Sequence, residues 1–275
     1  MRAEVLLIFP KSKKKLASLA AVSLGSRHFV RGGHMPCLDR DGVLAKSIAQ
    51  VIGHSPSLSG ARLVVFGHAD DASSEQACYN LSARRALAVR SILECDSAAW
   101  RLAASSASIQ ELSLTLAGVA ALMNWGCDTN TLGHLVQGQP SQALANFQRS
   151  CRGIYQSPVL DDGLPSLGCW HGVYCVLRHL IAKYLHEEFS DQAGDGEVWR
   201  IPVFGYPEGR GAFPCGDRFP RQQLLGCASA GRVDFVFVPS AVRIRLPAEE
   251  VGLPTLGDAP IYDSARYTFL EEGWG

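Results

Sequence analysis

Alternation of apolar and polar positions divides the first hundred residues into short strands and longer helices. Arg27–Arg31 is a short strand candidate. Over residues 42–53, apolar side chains recur at helical spacing after Asp41, which predicts a helix capped by that aspartate. The run Ala61–Gly67 is almost wholly apolar, which is typical of a central strand covered on both faces.

A second helix is predicted over about 74–94, and it carries an arginine on its apolar face. Ser73 and Gln76 form a capping-box pattern at its start. The apolar positions of this face are Leu81, Val89, Ile92 and Leu93. Arg85 lies four residues from both Leu81 and Val89, so it shares their face. Because an unpaired guanidinium there would be costly, we expect Arg85 to have a carboxylate partner or an anionic ligand.

Beyond Trp100 the pattern is mainly helical as far as residue 185. Helices are predicted over 114–123, 142–149 and 172–185. Apolar strand patterns return at Trp199–Phe204 and at Arg232–Pro239, separated by the predicted loop Arg210–Cys227. The order βαβα, then helices, then ββ predicts an α+β domain with a helical module inserted into one of its loops.

Composition narrows the classes of function. The 275 residues include 26 Lys+Arg and 26 Asp+Glu, so the chain lacks the basic field that holds nucleic acid nonspecifically. It has no run of eighteen apolar residues, so no transmembrane segment is expected. Near the N-terminus, Leu16–Leu24 follows a lysine cluster and has two interpretations, a short signal-peptide core or a short helix.

Cysteine spacing does not indicate a structural metal site. The nine cysteines contain no CxxC pair, so buried reduced thiols are expected, although Cys215 and Cys227 flank a loop and can pair in an oxidising compartment. His171, Cys175 and His179 share one helix face, where core packing and a zinc site with a fourth ligand are the two alternatives.

No catalytic motif is visible in the sequence. There is no G-x-S-x-G, no HExxH and no P-loop, and Asp161-Asp162 is more typical of a solvated turn than of a carboxylate pair. We therefore expect a binding protein without catalytic residues, metal or cofactor.

Gly67-His68-Ala69-Asp70, followed by Leu81–Ala86 (L-S-A-R-R-A) and Val89, forms a pattern with a fifteen-residue step from Asp70 to Arg85. This pattern resembles the OmpA/MotB C-terminal peptidoglycan-binding domain, whose motifs are G-H-T-D and N-x-x-L-S-x-x-R-A-x-x-V. Gly231–Asp234 is similar to the opening of the last strand of that family.

The resemblance implies a fold and a set of ligand-binding residues. The fold would be an OmpA-like βαβαββ sandwich. Asp70 and Arg85 would hold the backbone ammonium and carboxylate of diaminopimelate in the peptidoglycan stem peptide through charge-assisted contacts. Cys78, Leu81 and Arg232 complete the predicted ligand-binding set.

The helical block has a resemblance of its own. Phe147-Gln148-Arg149 and Asp162-Gly163 are similar to the A-x-x-x-F-Q and D-G hallmarks of the helical peptidoglycan-binding-domain-1 repeat. The nested arrangement resembles proteins encoded beside the spike proteins of type VI secretion and related contractile, phage-tail-like systems. It implies peptidoglycan and secretion-apparatus or envelope proteins as partners.

Three substitutions depart from the family pattern and support an alternative function. Cys78 replaces the asparagine, Ala69 the threonine of G-H-T-D, and Gly231 an arginine of the last strand. The main hypothesis is a non-catalytic protein that docks diaminopimelate and anchors an envelope or injection machine to the wall. The alternative is a structural adaptor of a contractile system whose wall-binding site is degenerate.

The predicted organisation has four parts. They are an N-terminal segment (1–25), a discontinuous OmpA-like domain (26–100 and 195–245), an inserted helical module (101–190) and a C-terminal tail (246–275). The expected location is the bacterial cell envelope or periplasm if the protein is exported, and the cytoplasm otherwise.

Overall fold

The computed structural model describes residues 6–8, 19–24, 28–54, 61–69, 75–157, 159–188, 212–216, 232–239, 242–245 and 268–271. Their first elements are β1 (Leu6–Ile8), β2 (Leu19–Leu24), α1 (Val43–His54), β3 (Ala61–Ala69) and α2 (Glu75–Leu93). Five helices follow: α3 (Ser97–Ala104), α4 (Ile109–Met123), α5 (Thr129–Leu132), α6 (Gln142–Tyr155) and α7 (Leu167–Glu188). The last elements are β4 (Ala212–Gly216), β5 (Arg232–Pro239), β6 (Val242–Arg245) and β7 (Thr268–Glu271).

The described residues are mostly helical, with more than twice as many residues in helices as in strands. The predicted fold class, an α+β OmpA-like βαβαββ sandwich with a small inserted helical domain, is therefore wrong. Helices α3–α7 are not a small addition, because their apolar side chains belong to the same hydrophobic cluster as Leu63 and Val65 of β3 and Val233 and Phe235 of β5. The helical residues thus supply most of the common core.

The strands pair in the order β1-β2-β5-β3-β4, and β6 pairs separately with β7. Strand β3 runs antiparallel to β5 and parallel to β4. Leu63 and Val65 are both buried, because alternate residues of a strand share one face, and Val65 lies opposite the buried Phe235. The strands predicted at Ala61–Gly67 and Arg232–Pro239 are confirmed, the first extending to Ala69.

Three other predictions are wrong in detail. Of the strand predicted at Arg27–Arg31, the described residues 28–31 form only a single bridge, from Phe29 to Pro36, because the chain turns at Gly32, whose φ is +71°. The short helix that was one of two interpretations of Leu16–Leu24 is not formed over Leu19–Leu24, which is a strand that pairs with β1 and β5. The predicted loop Arg210–Cys227 includes strand β4. Trp199–Phe204 lies outside the described residues.

Helix α1 begins with a cap different from the one expected. The Val43 backbone N–H donates to Asp39 Oδ1 at 2.8 Å, whereas Asp41 is exposed. Gly42 has a φ of +67°, so the chain bends sharply between Asp39 and the helix and brings the earlier aspartate to its first turn. The predicted apolar face is confirmed by the burial of Leu44 and Ile48.

Helix α2 lies unusually close to strand β3. A Cβ atom placed on Gly67 would be 1.9 Å from the Ser82 carbonyl oxygen, so only glycine permits this approach. The predicted inward face of α2 is confirmed, since Val89 and Ile92 are fully buried and Arg85 is 2% exposed. Ser73, which begins the predicted capping box, lies outside the described residues.

Helix α7 is the central element of the helical part, and it packs against α1, α3, α4 and α6. The Trp100 indole of α3 donates to the Trp170 carbonyl at 2.8 Å, and the two rings meet edge to face with centroids 6.1 Å apart. None of the helices in the described part of the chain is long and apolar enough to span a membrane.

The F-Q and D-G residues of the helical block contact one another. Gln148, which follows Phe147, is fully buried. Its carboxamide accepts from the Gly163 N–H at 2.8 Å and donates to the Leu164 carbonyl at 3.0 Å. Gly163 has a φ of +72°. These residues therefore fix the turn that leads into α7.

Two helical glycines provide a matched test of this packing. Gly118 of α4 lies against the loop before α1, where an added Cβ would be 1.9 Å from the Leu38 carbonyl oxygen; Gly153 of α6 has nothing within 4 Å. We expect Gly118→Ala to lower the free energy of unfolding by about 1–3 kcal/mol. Gly153→Ala should raise it by up to about 1 kcal/mol. Denaturant unfolding of both variants measures the difference, and equal stabilities would contradict the close contact of α4 with this loop.

Candidate ligand-binding cleft

An open cleft of about 570 Å³ lies between helix α2, the loop of residues 31–34 and the start of helix α4. Helix α2 lines it with Asn80, Leu81 and Arg84. The volume falls in the range of roughly 300–1,000 Å³ that small-molecule sites occupy. The cleft is therefore large enough for a short peptide.

A buried carboxylate, Glu111, holds the wall formed by the loop. Its Oε1 accepts from the backbone N–H groups of His34 and Met35, at 2.7 and 2.9 Å. Its Oε2 accepts from the N–H and hydroxyl of Ser108, at 2.7 and 2.9 Å. With four donors, a side chain only 2% exposed keeps its charge satisfied without water.

His34 makes a second link between the loop and the helices. Its Nε2 donates to the Ala103 carbonyl of α3 at 2.8 Å, and its Nδ1 lies 3.6 Å from Glu111 Oε1. The imidazole is 3% exposed, so it is part of the wall and presents little surface to the cleft.

Gly33 stands between Glu111 and Arg85. A Cβ on Gly33 would be 2.8 Å from the Glu111 carboxyl group, so a larger residue would push the loop off the carboxylate. The Gly33 carbonyl accepts from Arg85 Nε at 2.8 Å. One loop residue thus connects the carboxylate of α4 with the inward arginine of α2.

Arg85 contacts the protein interior as the sequence predicted. Its guanidinium carbon lies 5.1 Å from the centroid of the Phe29 ring, a cation–π contact with the guanidinium over the ring. The carbonyl of Gly33 and the ring of Phe29 both belong to the segment before α1. Asp70, its predicted partner at the ligand, lies outside the described residues.

The other predicted site residues are spread over two elements. Leu81 of α2 is 8% exposed and lines the cleft, one turn from Arg85. Cys78 lies on α2, and its side chain is outside the described part. Arg232 is the first residue of β5, paired by its backbone with His68 of β3. The structure therefore places Leu81 in the lining of the cleft and Arg85 one turn further along α2, buried behind that lining.

Sequence reasoning missed Glu111 and His34. The signal for Glu111 was present, because Ser108 and Glu111 form an S-x-x-E capping box at the start of α4. That pattern predicts the contact with Ser108 but not the contacts with residues 34 and 35. Arg84, the residue before Arg85 in the motif, is exposed and lines the cleft.

The exposed charges of the cleft are positive. Arg31 and Arg84 are exposed at its walls, and neither forms an ion pair within the residues that the structure describes. The carboxylate in the lining, Glu111, is buried, and four N–H and O–H donors already occupy its two oxygens. An anionic group entering the cleft therefore meets two guanidinium groups and no competing exposed acid among the described lining residues.

The thiols of the helical part are separate from this cleft. His171 Nε2 lies 3.7 Å from Cys175 Sγ, but no group of three or more metal-ligating side chains suited to a metal ion occurs in the described ranges. Burial raises the pKa of the Cys151 and Cys169 thiols, so both stay protonated. Cys227, one of the two cysteines considered for a disulfide, lies outside the described residues.

The cleft is thus a preformed, positively charged site whose walls come from three segments. No protein-family model, curated protein or solved structure matches this chain. Its function is therefore inferred from the chemistry of the cleft and from the motif at Gly67–Val89.

The role of Glu111 in holding the cleft is testable by one isosteric change. Glu111→Gln replaces one acceptor oxygen with an amide that points a donor at existing donors. We expect it to lower the free energy of unfolding by about 2–3 kcal/mol. The control is Glu187→Gln, because the Glu187 carboxylate is exposed, 3.8 Å from Lys183 Nζ. Its effect should stay within about 0.5 kcal/mol. Similar losses in the two variants, measured by denaturant unfolding, would show that Glu111 does not hold the loop.

Proposed function

We propose that this chain is a non-catalytic peptidoglycan-binding protein. It docks the diaminopimelate-containing stem peptide and thereby anchors a cell-envelope or injection machine to the cell wall. The function requires that the protein reach the envelope. The observation that carries the proposal is the cleft of about 570 Å³, one wall of which includes Leu81 and Arg84 of α2, within the stretch that resembles the peptidoglycan-binding motif.

The charge of the cleft supports a peptide of this class. A stem peptide carries carboxylates and a free ammonium, and the exposed guanidinium groups of Arg31 and Arg84 suit the carboxylates. Asp70 follows directly on Ala69, the last residue of β3, and is the predicted partner for the ammonium. Two such contacts of opposite charge would favour a zwitterion over a simple anion.

The burial of Arg85 supports a second candidate, a structural adaptor of a contractile system. Arg85 is 2% exposed and donates to the Gly33 carbonyl, so it has a structural reason to be present without a ligand. Together with the substitutions Ala69, Cys78 and Gly231, this contact fits a chain that keeps the scaffold of a wall-binding site after its ligand has been lost. The adaptor would bind tail or spike components instead.

A sacculus pull-down separates the two candidates. We expect the wild-type protein to sediment with diaminopimelate-type sacculi and Asp70→Asn to lose at least roughly tenfold in affinity, since it removes the partner of the ammonium. Asp70 is preferred to Arg85 because replacing Arg85 also disturbs the loop at Gly33. The matched control is Asp41→Asn, which changes an exposed aspartate and should bind like wild type.

Three outcomes would contradict the proposal. Equal binding by wild type and Asp70→Asn would refute the assigned site. No binding by wild type, with stable co-purification of tail or spike components, would favour the adaptor. Release of muropeptides from the sacculi during incubation would contradict the non-catalytic assignment.

A further inference from the structure

Arg31 and Arg84 lie on different walls of the cleft. Arg31 belongs to the loop before α1, and Arg84 to helix α2, where it precedes the buried Arg85. Both side chains are exposed, whereas Arg85 is 2% exposed. Two neighbouring arginines of α2 therefore face opposite environments, one towards the interior and one towards the cleft.

The loop is fixed to helices α2 and α4 by contacts that do not involve the side chains of Arg31 and Arg84. The loop is fixed by the Glu111 carboxylate through His34 and Met35, and by Arg85 through the Gly33 carbonyl. Because those contacts use backbone groups, the Arg31 side chain is not needed for them. Arg31 and Arg84 are thus the charged groups that the described scaffold presents to a ligand.

The chemistry of this arrangement identifies the ligand groups. A guanidinium binds a carboxylate or a phosphate through two parallel N–H groups. One small anion would fill little of a cleft of about 570 Å³ and would engage one wall. A ligand with carboxylates at separate positions along a short peptide engages both walls.

We propose that the cleft recognises a peptide by its carboxylates, with Arg31 and Arg84 as the contacting residues and Arg85 as a positioning residue that holds the loop. The inference rests on the proposed function in taking the peptide to be the stem peptide, whose glutamate and diaminopimelate residues carry free carboxylates. It adds a specificity: amidation of those carboxylates weakens recognition, because an amide is neutral and turns donors towards the guanidinium groups.

The test is calorimetric titration of the full chain with four probes. These are the tripeptide L-Ala-γ-D-Glu-diaminopimelate, the same tripeptide with its carboxylates amidated, the tripeptide Ala-Glu-Glu, which has carboxylates but no diaminopimelate, and inorganic phosphate. We expect the free tripeptide to bind at least roughly tenfold more tightly than the amidated one, because each lost charge-assisted contact costs about that factor. Phosphate should bind more weakly than the free tripeptide.

The variants separate contact from positioning. Arg31→Gln and Arg84→Gln should each reduce the preference for the free over the amidated tripeptide, and should leave the thermal midpoint unchanged. Arg85→Lys should weaken binding of both tripeptides by the same factor. It loses the contact with the Gly33 carbonyl and so shifts the loop, but it leaves the arginines that contact the carboxylates unchanged. Arg101→Gln is the matched control, since Arg101 is an exposed arginine of α3 outside the cleft lining, and it should behave like wild type.

The outcomes distinguish this inference from the proposed function. Binding to sacculi without a preference for the free tripeptide would leave the function standing and overturn the carboxylate recognition. No binding to sacculi, with tight and Arg84-dependent binding of the free tripeptide and of Ala-Glu-Glu, would support carboxylate recognition and overturn the function. Phosphate binding as tight as that of the tripeptide would overturn the peptide class.

Discussion

The cleft depends on one buried carboxylate. Glu111 is excluded from water, and a charge in that position is tolerated only because four donors point at its two oxygens. Two of the donors belong to its own helix start, where the helix dipole also favours a negative charge. The other two are backbone groups of a loop 76 and 77 residues earlier in the chain. The same carboxylate therefore completes the capping box of α4 and fixes the loop. The fixed loop in turn presents the Gly33 carbonyl as the acceptor for Arg85 Nε.

The second constraint is that three pairs of segments pack so closely that only a glycine fits at each contact. Helix α2 meets β3 at Gly67, α4 meets the loop before α1 at Gly118, and Gly33 meets the Glu111 carboxyl group. In each case an added Cβ would come within 2.8 Å of a fixed or buried atom. These close approaches hold the elements around the cleft near one another, and the buried Glu111 and Arg85 side chains fix the loop between them.

Local signals in the sequence predicted the elements better than their assembly. Helical periodicity placed Arg85 on the inward face of α2, and β-branched runs located β3 and β5, because both signals depend only on near neighbours. Two local predictions were wrong because a glycine with positive φ turns the chain. Gly42 brings Asp39, and not Asp41, to the start of α1. Gly32 ends the strand predicted at Arg27–Arg31. The fold class was wrong because periodicity does not reveal how much helix shares one core. Glu111 was missed because its loop contacts are far away in sequence.

The Glu111 contacts join residues 76 and 77 positions apart in the sequence, which limits how the chain can be shortened without losing the cleft. The predicted ligand residues Asp70, Cys78, Leu81, Arg85 and Arg232 all lie outside residues 101–190, so a shortened chain without that block would retain each of them. It would lack Glu111 and the carbonyl of Ala103, which hold the loop at His34 and Met35. Such a fragment would contain the complete motif and an unformed cleft. The cleft therefore depends on two stretches of chain that are distant in sequence, and the motif alone does not contain all the residues that form it.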